Sequence, residues 1–417
     1  MHILLIHQAF TELGEPGGTR HHELARQLVA YGHQVTVISG QVSYLTGERT
    51  AEGWLQKKVD DTGVAIWRCY TYPSWHRSFV HRVLSFFSFA ISSFLCGLQV
   101  RKVDLVWGTS PPIFQVLTAW LLARLKRARF LFEVRDLWPY FAVAVGVLRH
   151  PLLIRLSEWL ERFLYRRADH VLLNSPGFIE HVERRGARSV DIVPNGVDCT
   201  MFNPQDDGED FRRLHGLEDK ILVLYAGAHG MSNDLGIVLE AAEHLRDTTE
   251  IIFVLLGDGK EKPNLMAKAE AKQLNNVRFL PPVPKNEIPN ALAAADLCLA
   301  LLKPIEAYKT TYPNKVFDYM AAGRAVVLAI DGVIREVLEE AGAGVAVQPG
   351  DPEALANAVR ELAEDREQRR RMGMAGHDYV RRNFDRPVLA RKLLLVMEKM
   401  VGGHHSDDRR NHYGEGD

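Results

Sequence analysis

Short apolar runs of strand character alternate with helix-period segments along nearly the whole chain, and this alternation constrains the fold more than any single motif. The runs fall at 3–7, 34–39, 104–107, 130–134, 170–174 and 191–193. A second series follows at 221–226, 250–257, 277–280, 296–302, 325–330 and 344–347. Runs of four to eight apolar residues without strict alternation suit strands covered on both faces, as in parallel sheets. The segments between them carry helix signals. Asp351-Pro352-Glu353 offers an N-cap, a proline at the first helical position and an early acid, after which Leu355, Val359 and Leu362 recur on one face. The fold class expected is therefore α/β, doubly wound, in two Rossmann-like halves. With 417 residues, the chain is too long for one ordinary core. The pattern breaks at Pro194-Asn195-Gly196-Val197-Asp198 and the polar stretch 203–210, then restarts at Ile221. We expect an N-terminal domain over 1–200, a C-terminal domain over 201–380, a helix over 381–401 that crosses back to the first domain, and a disordered tail over 402–417. In that tail, His404-His405 reads as incidental rather than as a metal site.

Composition narrows the function classes. Apolar residues make up 47% and charged residues 25%, a soluble globular balance. Lys and Arg total 51 against 52 Asp and Glu, so overall charge gives no argument for nucleic acid. The charge is unevenly divided, however. Residues 1–200 carry 23 basic and 17 acidic side chains, net +6, and the remainder is net −7, so the first half is suited to an anionic partner. Cys69, Cys96, Cys199 and Cys298 form no Cys-x-x-Cys pair, which fits a reducing cytoplasm and neither a disulfide framework nor a zinc site. The opening residues lack a basic n-region and read as a buried strand rather than a signal peptide.

Val83 to Val100 holds 18 residues without a charge, with Arg77 and Arg82 before it and Arg101 and Lys102 after. Its length sits at the threshold for a membrane span. Ser85, Ser88, Ser92 and Gln99 nevertheless form a polar stripe on one helical face, and a crossing would separate strands that belong to one sheet. It is not expected to span. A core helix and a helix lying on a membrane surface both remain open. The second draws on the nearby basic residues of 124–129 and on Arg149, Arg155, Arg162, Arg166 and Arg167.

Several motifs sit at the predicted carboxyl edges of the strands, where such folds hold ligands. Gly17-Gly18-Thr19-Arg20 lies between the first strand and a helix, so its backbone N–H groups suit an anion such as phosphate. Neither a Gly-x-Gly-x-x-Gly fingerprint nor a Walker-type Gly-Lys-Ser/Thr is present, which argues against a nicotinamide dehydrogenase and a P-loop enzyme. Glu133-Val-Arg135-Asp136-Leu-Trp138-Pro139 ends another strand, with a loop-fixing ion pair as the plainer reading of its charges. The second half offers Gly227-Ala-His229-Gly230, Gly257-Asp258-Gly259, and Tyr312-Pro313-Asn314-Lys315-Val-Phe-Asp318 running to Gly323. Lys315 and Asp318 are three apart, so on a helix they share one face near its start, and an intrahelical surface pair is the alternative to a ligand role. A cation for a diphosphate and a carboxylate for a ribose are the two groups that a bound nucleotide needs.

Together with Gly32-His33-Gln-Val35, Thr109-Ser110-Pro111-Pro112 and Pro194-Asn-Gly-Val-Asp198, these passages resemble, in order and spacing, the retaining glycosyltransferases of family 4. The resemblance covers roughly residues 1–400 and is strongest to bacterial enzymes of surface-polysaccharide assembly. It implies the GT-B fold, two Rossmann-like domains facing a central cleft. The activity implied is transfer of a sugar from a nucleotide-diphospho-sugar, UDP rather than GDP by resemblance, to a hydroxyl of a lipid-linked acceptor, with retention. Asp136 and Lys315 are then the catalytic candidates. The donor would meet Gly17, Gly18, Arg20, Arg135, Gly227, His229, Gly230, Asp258, Val283, Asn314 and Asp318. No Asp-x-Asp sequence occurs, so neither a metal nor a cofactor is expected, the nucleotide-sugar being a substrate. Partners would be that donor, the acceptor and a membrane touched through 77–102, with no nucleic acid. The place would be the cytoplasm, at the inner face of the cytoplasmic membrane.

The chain departs from the family pattern at informative points. The family's Glu-x7-Glu signature appears here as Thr310 and Asp318, its His-Asp pair as Arg135-Asp136, and its Arg and Lys after the first C-domain strand as Ala228 and about Asp234. The compensating charge on the diphosphate would come from Lys315, helped by the Gly17-Gly18 backbone and by Arg20 or Arg135. Two rival functions fit the same resemblance. One is a sugar-nucleotide 2-epimerase of like architecture. The other is a non-catalytic, membrane-associated assembly protein with a degenerate nucleotide site.

Overall fold

The computed structural model describes residues 1–12, 15, 18–43, 47–73 and 79–407. The chain divides into two units, one comprising Met1–Pro194 with the segment from Leu389 onward and the other Asn195–Val388.

The first unit is built on eight strands: β1 (His2–Ile6), β2 (Gln34–Gly40), β3 (Leu55–Val59), β4 (Ala65–Cys69), β5 (Leu105–Ser110), β6 (Arg129–Val134), β7 (His170–Leu173) and β8 (Val190–Ile192). They lie in the order β3-β4-β2-β1-β5-β6-β7-β8, all parallel except β3, which runs antiparallel to β4. In β1, Ile3, Leu4, Leu5 and Ile6 are all fully buried, because successive side chains meet a different layer on each face of the sheet. One layer holds the helix Arg20–Ala30 and the last helix, Arg386–Asp407, through Leu24, Leu28, Leu389, Leu393 and Met397. The other holds Phe79–Leu98, Ile113–Lys126 and Pro151–Arg167, through Phe89, Cys96, Val116, Leu122 and Leu164. Met400 and Val401 also pack on the first layer. The helix that they anchor continues to Asp407, past the point at which the sequence suggests a disordered tail.

The second unit has six parallel strands: β9 (Ile221–Ala226), β10 (Ile251–Leu256), β11 (Val277–Leu280), β12 (Leu297–Leu301), β13 (Ala325–Ala329) and β14 (Gly344–Ala346). Their order is β11-β10-β9-β12-β13-β14, the doubly wound arrangement whose direction reverses between β9 and β12. Buried side chains divide between the two faces, with Leu222, Leu224 and Val326 on one side and Val223, Phe253 and Val327 on the other.

All twelve strands expected from the sequence occur, with ends shifted by a few residues at most. The hairpin β3–β4 was not anticipated. β3 reads Leu-Gln-Lys-Lys-Val and lies exposed at the sheet edge, where charge discourages further pairing and no apolar run marks the strand. Its turn is fixed by Asp60, whose carboxylate accepts the backbone N–H groups of Thr62 and Val64, both at 2.9 Å.

Among the described residues, no helix is long and apolar enough to cross a membrane. The helix Phe79–Leu98 places its serines inward. Ser92 donates to the Tyr70 carbonyl at 2.6 Å, Ser88 accepts the Tyr72 N–H at 2.8 Å, and Ser85 accepts the Gln8 side-chain amide at 3.3 Å. The sequence left a core helix and a surface helix open. The helix observed packs on the sheet with its polar stripe and leaves much of its apolar surface outside.

Candidate active site

In the second unit, the groups of interest gather where the strand order reverses. β9 ends at Tyr225-Ala226, and Gly227 turns away with φ +148°. The helix Asn314–Ala321 after β12 brings Lys315 back to this turn. Its Nζ donates to Tyr225 Oη at 2.6 Å and lies 3.8 Å from the centre of the Tyr225 ring. Any Cβ at position 227 would sit 3.1 Å from that ammonium, so glycine leaves the space that Lys315 occupies. Tyr225 Oη passes its own hydrogen to the Ala228 carbonyl at 2.8 Å. One helical turn beyond Lys315, Tyr319 Oη accepts the Ala226 N–H at 3.0 Å and is 3.1 Å from the Ala226 carbonyl, which locks the helix to the end of β9. Burial draws the Lys315 ammonium down to about 7 and pushes the Tyr225 phenol up. An anion placed beside this nitrogen would favour its charged form.

The neighbouring turn is held by the backbone. The His229 N–H donates to the Asp258 carbonyl at 2.7 Å, and the His229 carbonyl accepts the Glu261 N–H at 3.0 Å. Lys262 Nζ binds the carbonyls of Gly257 at 2.7 Å and Leu280 at 2.9 Å. A Cβ on Gly257 would come within 2.0 Å of the Gly227 carbonyl, so the two turns can lie together only with glycine there. The His229 ring is fully buried against Tyr225 and Phe279, and neither of its nitrogens has a hydrogen-bond partner among the described residues. Burial, with Lys262 and Lys315 adding to it against Asp258, lowers this imidazole to about 4 and keeps it neutral.

Of the residues singled out from the sequence, Gly227, His229, Gly230, Asp258 and Lys315 belong to this pair of turns. Asp258 is exposed and accepts the Gly259 N–H at 2.8 Å. Asp318 lies on the Lys315 helix and is half-buried, and Val283 is half-buried on the loop after β11. Asn314 starts the helix and accepts the Asn195 side-chain amide at 2.7 Å. Tyr225, Tyr319 and Lys262 were not anticipated. The one available cue for Tyr319 was its i+4 spacing from Lys315.

In the first unit, polar groups gather behind the ends of β1 and β6. Glu133 is fully buried and accepts from Arg20, from His21 Nε2 at 2.7 Å and from Trp107 Nε1 at 3.0 Å. Burial pushes this carboxyl up, but the charges of Arg20, His21 and Arg135 outweigh it and hold the group well below the usual range. Arg20 is buried in the same cluster, with its second nitrogen on the Val193 carbonyl at 3.0 Å. Arg135 is half-buried, 3.4 Å from the carbonyls of Ser110 and Pro111, and Asp136 is exposed beside it. Gly18 borders open space just before the helix Arg20–Ala30, and Gly17 lies outside the described residues. Among the described residues, no group of three or more His, Cys, Asp or Glu is placed to hold a metal ion.

The match to known families divides as the fold does. The family model for the glycosyl transferase 4-like domain covers residues 17–196, and that for glycosyl transferases group 1 covers 207–378. The chain belongs to the family-4 type of glycosyltransferases. This glycosyltransferase is 28% identical over 357 residues to the putative colanic acid biosynthesis glycosyl transferase WcaI of Escherichia coli, covering 81% of this chain and 86% of that one. It is 26% identical over 373 residues to the D-inositol 3-phosphate glycosyltransferase of Frankia alni, covering 84% and 86%. Solved structures of like fold include sucrose-phosphate synthase from Thermosynechococcus elongatus, with TM-score 0.77, 16% identity and 96% and 99% of the two chains covered. Alr3699/HepE of Anabaena in complex with UDP-glucose matches with TM-score 0.70, 16% identity and 96% and 100% covered. The glycosyltransferase fold is therefore GT-B, two Rossmann-like α/β domains.

Proposed function

We propose that this glycosyltransferase moves a sugar from a UDP-sugar to a hydroxyl of a lipid-linked glycan, with retention, in the synthesis of a cell-surface polysaccharide. Lys315 carries the reading. It is a partly buried ammonium, held at the reversal point of a doubly wound sheet beside two glycine turns, with the Tyr225 phenol as its hydrogen-bond partner. A diphosphate is the ligand that such a place suits. UDP-sugar is favoured by the UDP-glucose complex of the Anabaena structure, and a surface polysaccharide by the name of the Escherichia coli relative.

In the reaction, the acceptor oxygen forms a bond to the anomeric carbon as the bond to the β-phosphate oxygen breaks. The bonding electrons leave with UDP, and the acceptor proton passes to the departing phosphate on the same face. Positive charge grows on the sugar ring and negative charge on the phosphate. Lys315 and the start of its helix oppose the second, and one well-placed donor in such a setting contributes about 3–4 kcal/mol. Asp136 would orient the acceptor hydroxyl or balance the ring charge. The acceptor would be met at the inner face of the cytoplasmic membrane, with peripheral contact through 77–102.

The test incubates the purified protein with a panel of UDP-sugars, with and without a lipid extract containing lipid-linked saccharides. We expect release of UDP and a larger saccharide only when donor and extract are both present. Conversion of the donor sugar without extract would identify an epimerase. Donor binding without transfer to any extract would identify a non-catalytic protein.

A further inference from the structure

We propose that the outer faces of three helices in the first unit, Phe79–Leu98, Ile113–Lys126 and Pro151–Arg167, form one surface that docks on a bilayer containing anionic lipid. This deepens the peripheral contact proposed above, extending it from one segment to a three-helix layer. The helix Ile113–Lys126 packs against both of the others on the same side of the sheet.

The surface is apolar where a water-facing helix should be polar. On Phe79–Leu98 the serines point inward, whereas Leu84, Phe87, Ile91, Leu95 and Leu98 are exposed, at spacings of 3, 4, 4 and 3 that make one continuous stripe. On Pro151–Arg167 a second stripe runs through Leu152, Leu156 and Trp159, with Trp159 62% exposed and stacked on Phe163. Leu121 and Leu125 expose a third strip on the middle helix. Isolated exposed apolar residues need no explanation, but contiguous ones mark a partner. The second unit, of the same fold, exposes only Leu214, Met231, Met266 and Val388 among its described large apolar residues.

Charge selects the partner. Nine cations of the 101–167 stretch are exposed: Arg101, Lys102, Arg124, Arg127, Arg149, Arg155, Arg162, Arg166 and Arg167. The exposed acids there are only Asp104 and Asp136. On Pro151–Arg167, Arg155, Arg162 and Arg166 line one flank of the Leu152–Leu156–Trp159 stripe. An apolar stripe bordered by arginines on a helix that lies flat is the pattern of in-plane insertion among anionic headgroups. A second copy of the chain would bring like charge against like.

The test is flotation of the full-length protein with phosphatidylcholine vesicles, with and without phosphatidylglycerol. It needs no sugar substrate, so its failure would leave the transfer chemistry standing. We expect the protein to float with the anionic vesicles and to partition at least tenfold less onto the neutral ones. Arg155→Glu with Arg162→Glu should lower partitioning ~30-fold from the two lost cations alone. Leu156→Ser with Trp159→Ser should lower it at least tenfold. Both variants alter exposed residues, so melting temperature should stay unchanged. The proposal is overturned if the unaltered protein stays with the pellet in the presence of phosphatidylglycerol, or if both variants float as it does. It is also overturned if the same substitutions break a concentration-dependent dimer in the absence of vesicles.

Discussion

The two units share a doubly wound core but use their polar residues in opposite ways. In the first, a buried cluster behind the strand ends is satisfied within itself: Glu133 takes Arg20, His21 and Trp107 and braces the sheet edge from behind, while Arg135 and Asp136 stay nearer the surface. In the second, the strand ends are braced by backbone bonds and by lysine-to-carbonyl contacts, and Lys315 is left with a phenol as its partner. Hence the first unit has an internal electrostatic keystone and an apolar, basic exterior, whereas the second has an under-neutralised cation at its reversal point. A duplicated fold can divide labour in this way because the sheet supplies the position and the loops alone decide whether a charge is stabilising or available.

The sharpest way to break this contrast is to remove the keystone. Glu133→Ala leaves the Arg20 guanidinium buried without its carboxylate, which costs about 3–5 kcal/mol in comparable sites. Unfolding followed by denaturant should show that loss in the transition of the first unit, with UDP-sugar binding by the second unit retained below the transition. An unchanged midpoint would mean that the cluster is not structural. The next largest effect comes from the second unit and has the opposite sign for stability. Lys315→Met should reduce turnover by about 10²–10³-fold and at the same time raise the melting temperature. Burial depresses the folded-state pKa of this lysine below its unfolded value, so the ammonium opposes folding. That opposition is fullest below about pH 7 and fades as pH rises towards the unfolded value. Normal turnover together with a lower melting temperature would reverse the assignment of roles.

Much of this division was legible in the sequence, and what was missed shares a cause. Every doubly buried strand was visible because a parallel strand must be apolar on both faces. β3 was not, because an edge strand carrying Lys57 and Lys58 leaves no apolar run. The Gly227, Gly257 and Lys315 turns could be read because close backbone approach and a lone cation leave local signatures. Arg20 and Glu133 are 113 positions apart, so nothing local told that Arg20 points into a buried pair. Tyr225 looked like any strand aromatic, and its phenol became informative only when the helix bearing Lys315 was seen to reach it. The serines of 85–92 gave the period of the helix correctly but could not say which face turned inward, since a polar stripe on a charge-free helix ordinarily faces water.

A smaller and more discriminating effect is the pH dependence of donor binding. With the Lys315 ammonium at about 7 in the free protein, the charged form that a diphosphate needs is depleted as pH rises through that value. Affinity for a UDP-sugar, whose diphosphate diester keeps its charge over this range, should fall by up to about tenfold per pH unit above it, or about 1.4 kcal/mol. Bound donor favours the ammonium, so binding just above this pH should take up a proton, which calorimetry in buffers of different ionisation enthalpy would detect. In Lys315→Met both the slope and the proton uptake should vanish. The neutral His229 titrates too low to mimic them, and the groups around Glu133 belong to the other unit. A slope that survives the substitution would place the titrating cation elsewhere and remove Lys315 from the contrast between the two units.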